Sequence, residues 1–259
     1  MISWLILAGG GIGAGILAGL LGIGGGFVIV SLMSALGYPF TQAVATSSLV
    51  IILSSSTGSF YNWRKGYLDL QRVVYIAIPA VLTAPLGAYL TGEIAEYILM
   101  TIFACFLLVN IGLVKLRQRI VIQKQGSANR FNLILSRVTT GGIAGFCAGL
   151  LGIGGGAIMV PLQMLLLKEE IKVAVRTSLG VIVTATISSC VIHAVNGNVL
   201  YVPGLILGIS GILGAQVGTR ILPNLPNSLV SKMFSVFLAL MAVFNFYQAW
   251  ISYQNSISI

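Results

Sequence analysis

The sequence predicts an all-α polytopic membrane protein built from two inverted-topology repeats. Of 259 residues, 57% are hydrophobic and only 7% are charged, and the mean hydropathy is +1.02. Soluble domains carry about 25% charged residues, whereas apolar stretches of about 20 residues are typical of membrane spans. One segment also occurs twice, and the basic residues fit on one side of a membrane. These three observations predict, in turn, a bilayer environment, a duplication and an inverted relation between the copies.

An internal repeat divides the chain into two halves. The segment from Gly19 to Gly26 recurs letter for letter from Gly149 to Gly156. The matches that follow in the same order are Thr46-Ser47 with Thr177-Ser178, Gly66 with Gly197, and Leu86-Gly87-Ala88 with Leu213-Gly214-Ala215. We therefore predict a first transmembrane repeat over 1–114, a basic cytoplasmic linker over 115–133 and a second transmembrane repeat over 134–259.

Each repeat contains five apolar segments, and the second segment is short in both. The segments lie at about 3–20, 24–37, 41–63, 72–91 and 96–114, and at about 134–150, 154–167, 173–194, 201–219 and 228–251. At about 1.5 Å per residue, the short segments reach roughly 21 Å, less than the ~30 Å hydrocarbon core. Each glycine-broken pair therefore predicts a re-entrant or discontinuous helix, followed by three spanning helices.

The distribution of basic residues predicts the topology. An odd number of segments per repeat inverts the second repeat, and all 14 basic residues then share the side of the central linker. These are Arg64, Lys65, Arg72, Lys115, Arg117, Arg119, Lys124, Arg130, Arg137, Lys168, Lys172, Arg176, Arg220 and Lys232. A parallel arrangement would move the last five to the other side. Since cytoplasmic loops are rich in Lys and Arg, the inverted arrangement is favoured.

Several classes of function find no support in the sequence. The net charge of +9 does not indicate nucleic-acid binding, because the basic region lacks interleaved aromatic residues and any binding-fold pattern. The five acidic residues fall in turns or at helix ends, so a pump with a buried carboxylate is unsupported. We expect no enzyme activity, no metal site and no cofactor, because no catalytic triad or Cys–His cluster is present.

The two glycine clusters are the strongest candidates for a ligand site. In an inverted pair, the half-helices that begin near Gly24 and Gly154 approach the midplane from opposite faces, each with unpaired N–H groups and a positive dipole end. Two such ends form an anion site without a buried cation. The candidate substrate-binding residues are Gly24, Gly25, Gly26, Thr46, Ser47, Gly154, Gly155, Gly156, Thr177 and Ser178. The alternatives are that the glycines only permit close helix packing and that the hydroxyls bond to their own helices.

Three further polar residues are candidates for gating or proton relay. Arg176 precedes Thr177, and its guanidinium suits an oxyanion, although it also suits the cytoplasmic flank of a span. His193 is the only histidine and could relay a proton near neutral pH or serve as a packing residue. Asn62 occupies the corresponding place in the first repeat.

The paired glycine breaks, the Thr-Ser pairs, and His193 followed by Gly197-Asn198-Val199 resemble the TauE/SafE family of sulfite and organosulfonate exporters. The resemblance covers essentially the whole chain. It implies a multi-pass permease of the cell (inner) membrane that exports a small anion, such as sulfite or a related sulfur oxyanion or organosulfonate, by alternating access. The expected partners are that anion and the lipid bilayer. An anion channel, a proton-coupled permease for another organic anion, an intramembrane enzyme and a homo-oligomer stay open.

Overall fold

The computed structural model describes residues 2–120 and 130–257, and this part of the chain is helical without strands. The helices are α1 (Ile2–Leu21), α2 (Gly26–Ala35), α3 (Phe40–Arg64), α4 (Leu70–Thr91), α5 (Glu96–Ile120), α6 (Arg130–Leu151), α7 (Gly156–Leu166), α8 (Ile171–Val195), α9 (Tyr201–Ile221) and α10 (Asn227–Ile257). Seven described helices are long and apolar enough to cross a membrane. The predicted all-α membrane fold is confirmed.

The predicted linker over 115–133 is described only at its two ends. Helix α5 continues to Ile120 and α6 begins at Arg130, while 121–129 lies outside the described residues. The domain boundaries therefore stay a prediction.

Helices α1 and α2 form a hairpin that turns at glycine, as do α6 and α7. The residues before α2 and α7, Gly25 and Gly155, have φ values of 80° and 71°. A side chain in this left-handed region costs about 1–2 kcal/mol, so glycine is favoured there. Helix α2 then folds back along α1, because Gly25 packs against Ala14 and Gly10 against Leu32. At the start of α7, Gly155 packs against Ala144 of α6 in the same way.

The most extensive helix contacts join the two repeats, since α1 packs on α9 and α6 packs on α4. Gly15 and Gly19 of α1 pack against the backbone of α9, and Gly145 and Gly149 of α6 pack against the backbone of α4. In each case a side chain on the glycine would meet a backbone carbonyl of the neighbouring helix. Glycine lets these backbones approach, as small residues do between membrane helices.

One match between the repeats, Gly87 with Gly214, is wrong by one helical turn. Gly87 faces the carbonyl of Phe146, whereas Gly214 faces the carbonyl of Ile12. The residue that corresponds to Phe146 is Ile16, three positions before the shared glycine-rich segment, and Ile16 is contacted by Gly218. Gly87 therefore corresponds to Gly218. The sequence permits the wrong alignment because α9 has small residues at successive turns, so more than one glycine matches Gly87.

The connections α3–α4, α7–α8 and α9–α10 lie at one end of the structure, which we call the basic end. Arg72 Nη1 lies 3.1 Å from Glu169 Oε1, and Lys172 Nζ donates to the Pro223 carbonyl at 2.9 Å. Burial raises the pKa of the Glu169 carboxyl, and the Arg72 cation opposes part of that rise. These contacts agree with the single basic side expected from the charge distribution.

Candidate functional site

The starts of α2 and α7 lie side by side where the two repeats meet. A Cβ atom on Gly26 would lie 2.6 Å from the carbonyl oxygen of Gly152, and a Cβ on Gly156 would collide with the carbonyl oxygen of Gly22. Each short helix therefore begins directly against the glycine turn of the other repeat, where the two glycine turns are residues 22–25 and 152–155. The structure brings the two predicted glycine clusters together, and their role in binding stays a prediction.

Both helix starts leave backbone donors without an intrahelical acceptor. The first acceptor of α2 is the Gly25 carbonyl, which receives hydrogen bonds from Val28 at 3.1 Å and Ile29 at 3.3 Å. The N–H groups of the residues before Val28 therefore precede the helical ladder, as at any helix N-terminus. The Gly155 carbonyl of α7 accepts from Met159 at 3.0 Å. The positive ends of two helix dipoles thus lie near each other, an arrangement that favours an anion.

Two isoleucine side chains cover the glycine turns. Ile51 Cγ2 would lie 2.9 Å from a Cβ on Gly24, and Ile182 Cγ2 would lie 3.0 Å from a Cβ on Gly154. Both isoleucines are fully buried. The sequence analysis missed this pair, although each isoleucine follows the serine of its Thr-Ser pair by one helical turn, so the repeat register could have found it.

Serine hydroxyls secure the carbonyls of the glycine turns. Ser47 Oγ donates to the Gly152 carbonyl, and Ser54 Oγ donates to the Gly24 carbonyl at 3.3 Å. In the second repeat, Ser178 Oγ accepts a hydrogen bond from Gln163 Nε2 at 2.9 Å. Ser47 and Ser178 are thus close to the turns or to the short helices. In these contacts Ser47 acts on the protein's own backbone, and the sequence analysis missed Ser54.

Thr46 and Thr177 are both buried, and the contact of Thr46 lies away from the glycine turns. Thr46 Oγ1 accepts a hydrogen bond from the backbone N–H of Leu200 at 3.0 Å. Leu200 is the N-cap residue of α9, so this bond joins the first repeat to the start of a helix in the second. In this conformation the Thr46 hydroxyl positions α9.

Replacing Thr46 with valine is expected to lower the free energy of unfolding by about 1 kcal/mol, the typical net contribution of one hydrogen bond. Valine keeps the branched shape but offers no acceptor to Leu200. Thermal unfolding in detergent would measure the loss, and Thr46→Ser should retain most of the stability. Equal stability of the valine and serine variants would contradict this role.

The three residues considered for gating or proton relay lie near the ends of α3 and α8. His193 is in the last turn of α8, with Nε2 at 3.3 Å from the Gly149 carbonyl. Asn62 is buried near the end of α3. Among the described residues, His193 Nδ1 and Asn62 Nδ2 have no hydrogen-bond partner. Arg176 lies early in α8, with its guanidinium 4.2 Å from the centre of the Tyr67 ring.

The comparison with protein families decides the identity of the chain. A family model described as "Sulfite exporter TauE/SafE" matches residues 7–245. The chain belongs to the TauE/SafE family. The match contains both glycine turns and both Thr-Ser pairs, so the residues of the candidate site all lie within the family region.

The TauE/SafE chain also has curated relatives with consistent names. It is 31% identical over 247 residues to the probable membrane transporter protein YunE of Bacillus subtilis, covering 85% of this chain and 90% of the relative. It is 27% identical over 246 residues to a probable membrane transporter protein of Methanocaldococcus jannaschii, covering 89% and 90%. A Haemophilus influenzae protein with the same description is 25% identical over 228 residues, covering 88% and 89%. This TauE/SafE chain is a membrane transporter.

Proposed function

We propose that this transporter exports a small anion, sulfite or a related sulfur oxyanion or organosulfonate, by alternating access around the two glycine turns. The observation that carries the proposal is the meeting of the α2 and α7 starts beneath Ile51 and Ile182. Two helix dipoles would bind the anion without a fixed cation, and the isoleucines would close the site between its two access routes.

The directions of corresponding helices support inverted repeats. Ile51 of α3 and Ile182 of α8 contact the same glycine turns, whereas Gly58, farther along α3, contacts Leu179, which is earlier in α8. As α3 advances, its contact on α8 therefore moves backward, so these corresponding helices run in opposite directions. In this proposal, α2 and α7 reach the site from opposite faces of the membrane.

The basic end would face the cytoplasm of a cell (inner) membrane, because Lys and Arg are enriched on that side. An inside-negative potential drives anions outward with about 2.3 kcal/mol per charge per 100 mV. Export of an anion therefore needs no coupling ion. The cations at the basic end would attract the anion to the inner side of the transporter.

A proton-coupled permease is a second candidate, favoured by one observation. His193 is buried at 1% exposure, and its Nδ1 has no hydrogen-bond partner among the described residues. A histidine with one unengaged ring nitrogen could take up and release a proton during transport. A His193→Gln variant with the pH dependence of the wild type would exclude this candidate.

Efflux from proteoliposomes tests the export proposal. Vesicles with purified protein would be loaded separately with sulfite, thiosulfate, sulfoacetate, acetate or chloride, with and without an imposed potential. We expect saturable efflux of a sulfur-containing anion that increases with the outward driving potential. Efflux that does not saturate would instead indicate a channel, and no flux above that of protein-free vesicles would contradict the proposal.

A further inference from the structure

A pocket lies toward the basic end, between α3, α4 and α8. Its volume is about 370 Å³, which is within the usual range for small-molecule sites. Phe60 and Trp63 of α3 contribute aromatic rings, and Ser56 and Ser59 of the same helix contribute hydroxyls. Gly180 of α8 lies in the opposite wall. The lining is thus mainly apolar with a few polar groups.

The repeat explains why one wall of this pocket lacks a side chain. Gly180 corresponds to Leu49, since each follows the serine of its Thr-Ser pair by two positions. At the equivalent position of the first repeat, Leu49 packs on Gly204, with Leu49 Cδ2 at 3.0 Å from a Cβ placed on Gly204. Gly204 in turn corresponds to Val73, which packs on Gly180. Helix α8 of the second repeat corresponds to α3 of the first. It therefore lacks, at the pocket, the large side chain that α3 has at Leu49.

A cation with an unused donor lies one helical turn from the pocket. Arg176 precedes Gly180 by four residues, so the two share a face of α8. Arg176 Nε is buried and has no hydrogen-bond partner among the described residues. Arg72, in contrast, is paired with Asp69 and Glu169. Within the described residues, the positive charge of Arg176 is thus held beside an aromatic ring and not by a carboxylate.

We propose that this pocket binds an organic anion with its acidic head group at Arg176 and an apolar body of several carbons against Phe60 and Trp63. A bare inorganic oxyanion would satisfy the guanidinium but leave the apolar walls empty. The assignment of this pocket as the inner access site for substrate rests on the proposed function. The proposal narrows the substrate class to amphiphilic organic anions. Arg176 would select the acidic head group, and Gly180 would leave the space for the apolar body.

Trp63 makes the pocket directly measurable. The chain has three tryptophans, so a variant carrying Trp4→Phe and Trp250→Phe keeps Trp63 as its only indole. This protein, in nanodiscs, would be titrated with sulfite and with methane-, propane- and hexanesulfonate, and with hexanoate as a carboxylate. We expect saturable changes in Trp63 emission, with affinity rising about threefold to fourfold per added methylene.

Two sets of variants separate the head-group contact from the pocket itself. Arg176→Gln should weaken sulfonate and carboxylate binding at least tenfold, and Arg176→Lys should restore part of the loss. Gly180→Leu combined with Val73→Gly recreates the Leu49–Gly204 pair at the equivalent position. This double variant should abolish the dependence of affinity on the alkyl chain length of the ligand. The matched control, Leu49→Gly with Gly204→Val, should leave the Trp63 titration unchanged. Thermal unfolding of each variant would verify folding.

The proposal is overturned if Trp63 gives no saturable response, or if affinity is independent of chain length and of Arg176. It is also overturned if brominated lipid quenches Trp63 and hexanesulfonate fails to relieve the quenching, because the pocket would then hold an acyl chain. Sulfite efflux without alkanesulfonate binding would refute this inference alone. Alkanesulfonate binding without efflux of any anion would refute the export proposal alone.

Discussion

Replacing Gly26 or Gly156 with alanine is expected to abolish transport and to lower the thermal stability of the protein markedly. A Cβ on Gly26 would lie 2.6 Å from the Gly152 carbonyl, and one on Gly156 would collide with the Gly22 carbonyl. Neither glycine has a positive φ, so the effect comes from the added atom and not from backbone strain. Overpacking of a rigid contact costs about 1–3 kcal/mol, and the hairpins would have to move apart.

The chain offers a matched control for these two variants. Gly13 lies in α1, and a Cβ placed there would have no atom within 4 Å. Gly13→Ala should therefore be as stable as the wild type or more stable, because alanine is favoured over glycine in a helix by about 0.5–1 kcal/mol. Thermal unfolding and vesicle efflux would be measured on all three variants. Wild-type transport by Gly26→Ala would show that close contact between the hairpins is unnecessary.

The double variant Ile51→Ala with Ile182→Ala is expected to convert the transporter into an anion leak. These side chains cover the glycine turns from α3 and α8, so their removal would leave the site without its closing layer. Each deletion should also destabilise the protein by about 2–5 kcal/mol, as for other buried isoleucines. Efflux should become faster and lose saturation.

A cavity elsewhere in the core separates leakage from general destabilisation. Ile76 in α4 is also fully buried, and Ile76→Ala should lose about as much stability as either single deletion, Ile51→Ala or Ile182→Ala, while keeping saturable efflux. Ile51→Val with Ile182→Val should behave almost as the wild type, because most of the covering side chain is kept. If Ile76→Ala leaks as much as the double variant, the isoleucine pair is not a specific closure.

The sequence predicted the helices and the two short segments well, because apolar length and glycine breaks are local signals. It did not decide whether the broken pairs are hairpins, since that depends on contacts such as Gly10 with Leu32. Nor did it predict the bond from Leu200 to Thr46, which joins residues distant in the chain. Local patterns identify polar residues in apolar helices, but their partners depend on how the two repeats pack.

The site was predicted less completely than the fold. The glycine clusters do meet, as a duplicated chain with the proposed inverted arrangement would require. Ile51 and Ile182, which cover the glycine turns, look like ordinary apolar residues in the sequence, so composition alone gives them no distinction. For Arg176 the sequence left open an oxyanion ligand and a cytoplasmic flank, and only the structure shows that its guanidinium lies on Tyr67.

The most direct measurement is a structure of the transporter with a selenium analogue of the anion identified by efflux. Selenium provides an anomalous signal that locates the bound anion independently of the protein atoms. The account predicts a peak between the starts of α2 and α7, within about 3 Å of the backbone nitrogens of Gly26 and Gly156, the distance of an N–H hydrogen bond. A peak at Arg176 alone, in protein that transports the same anion, would contradict the glycine site.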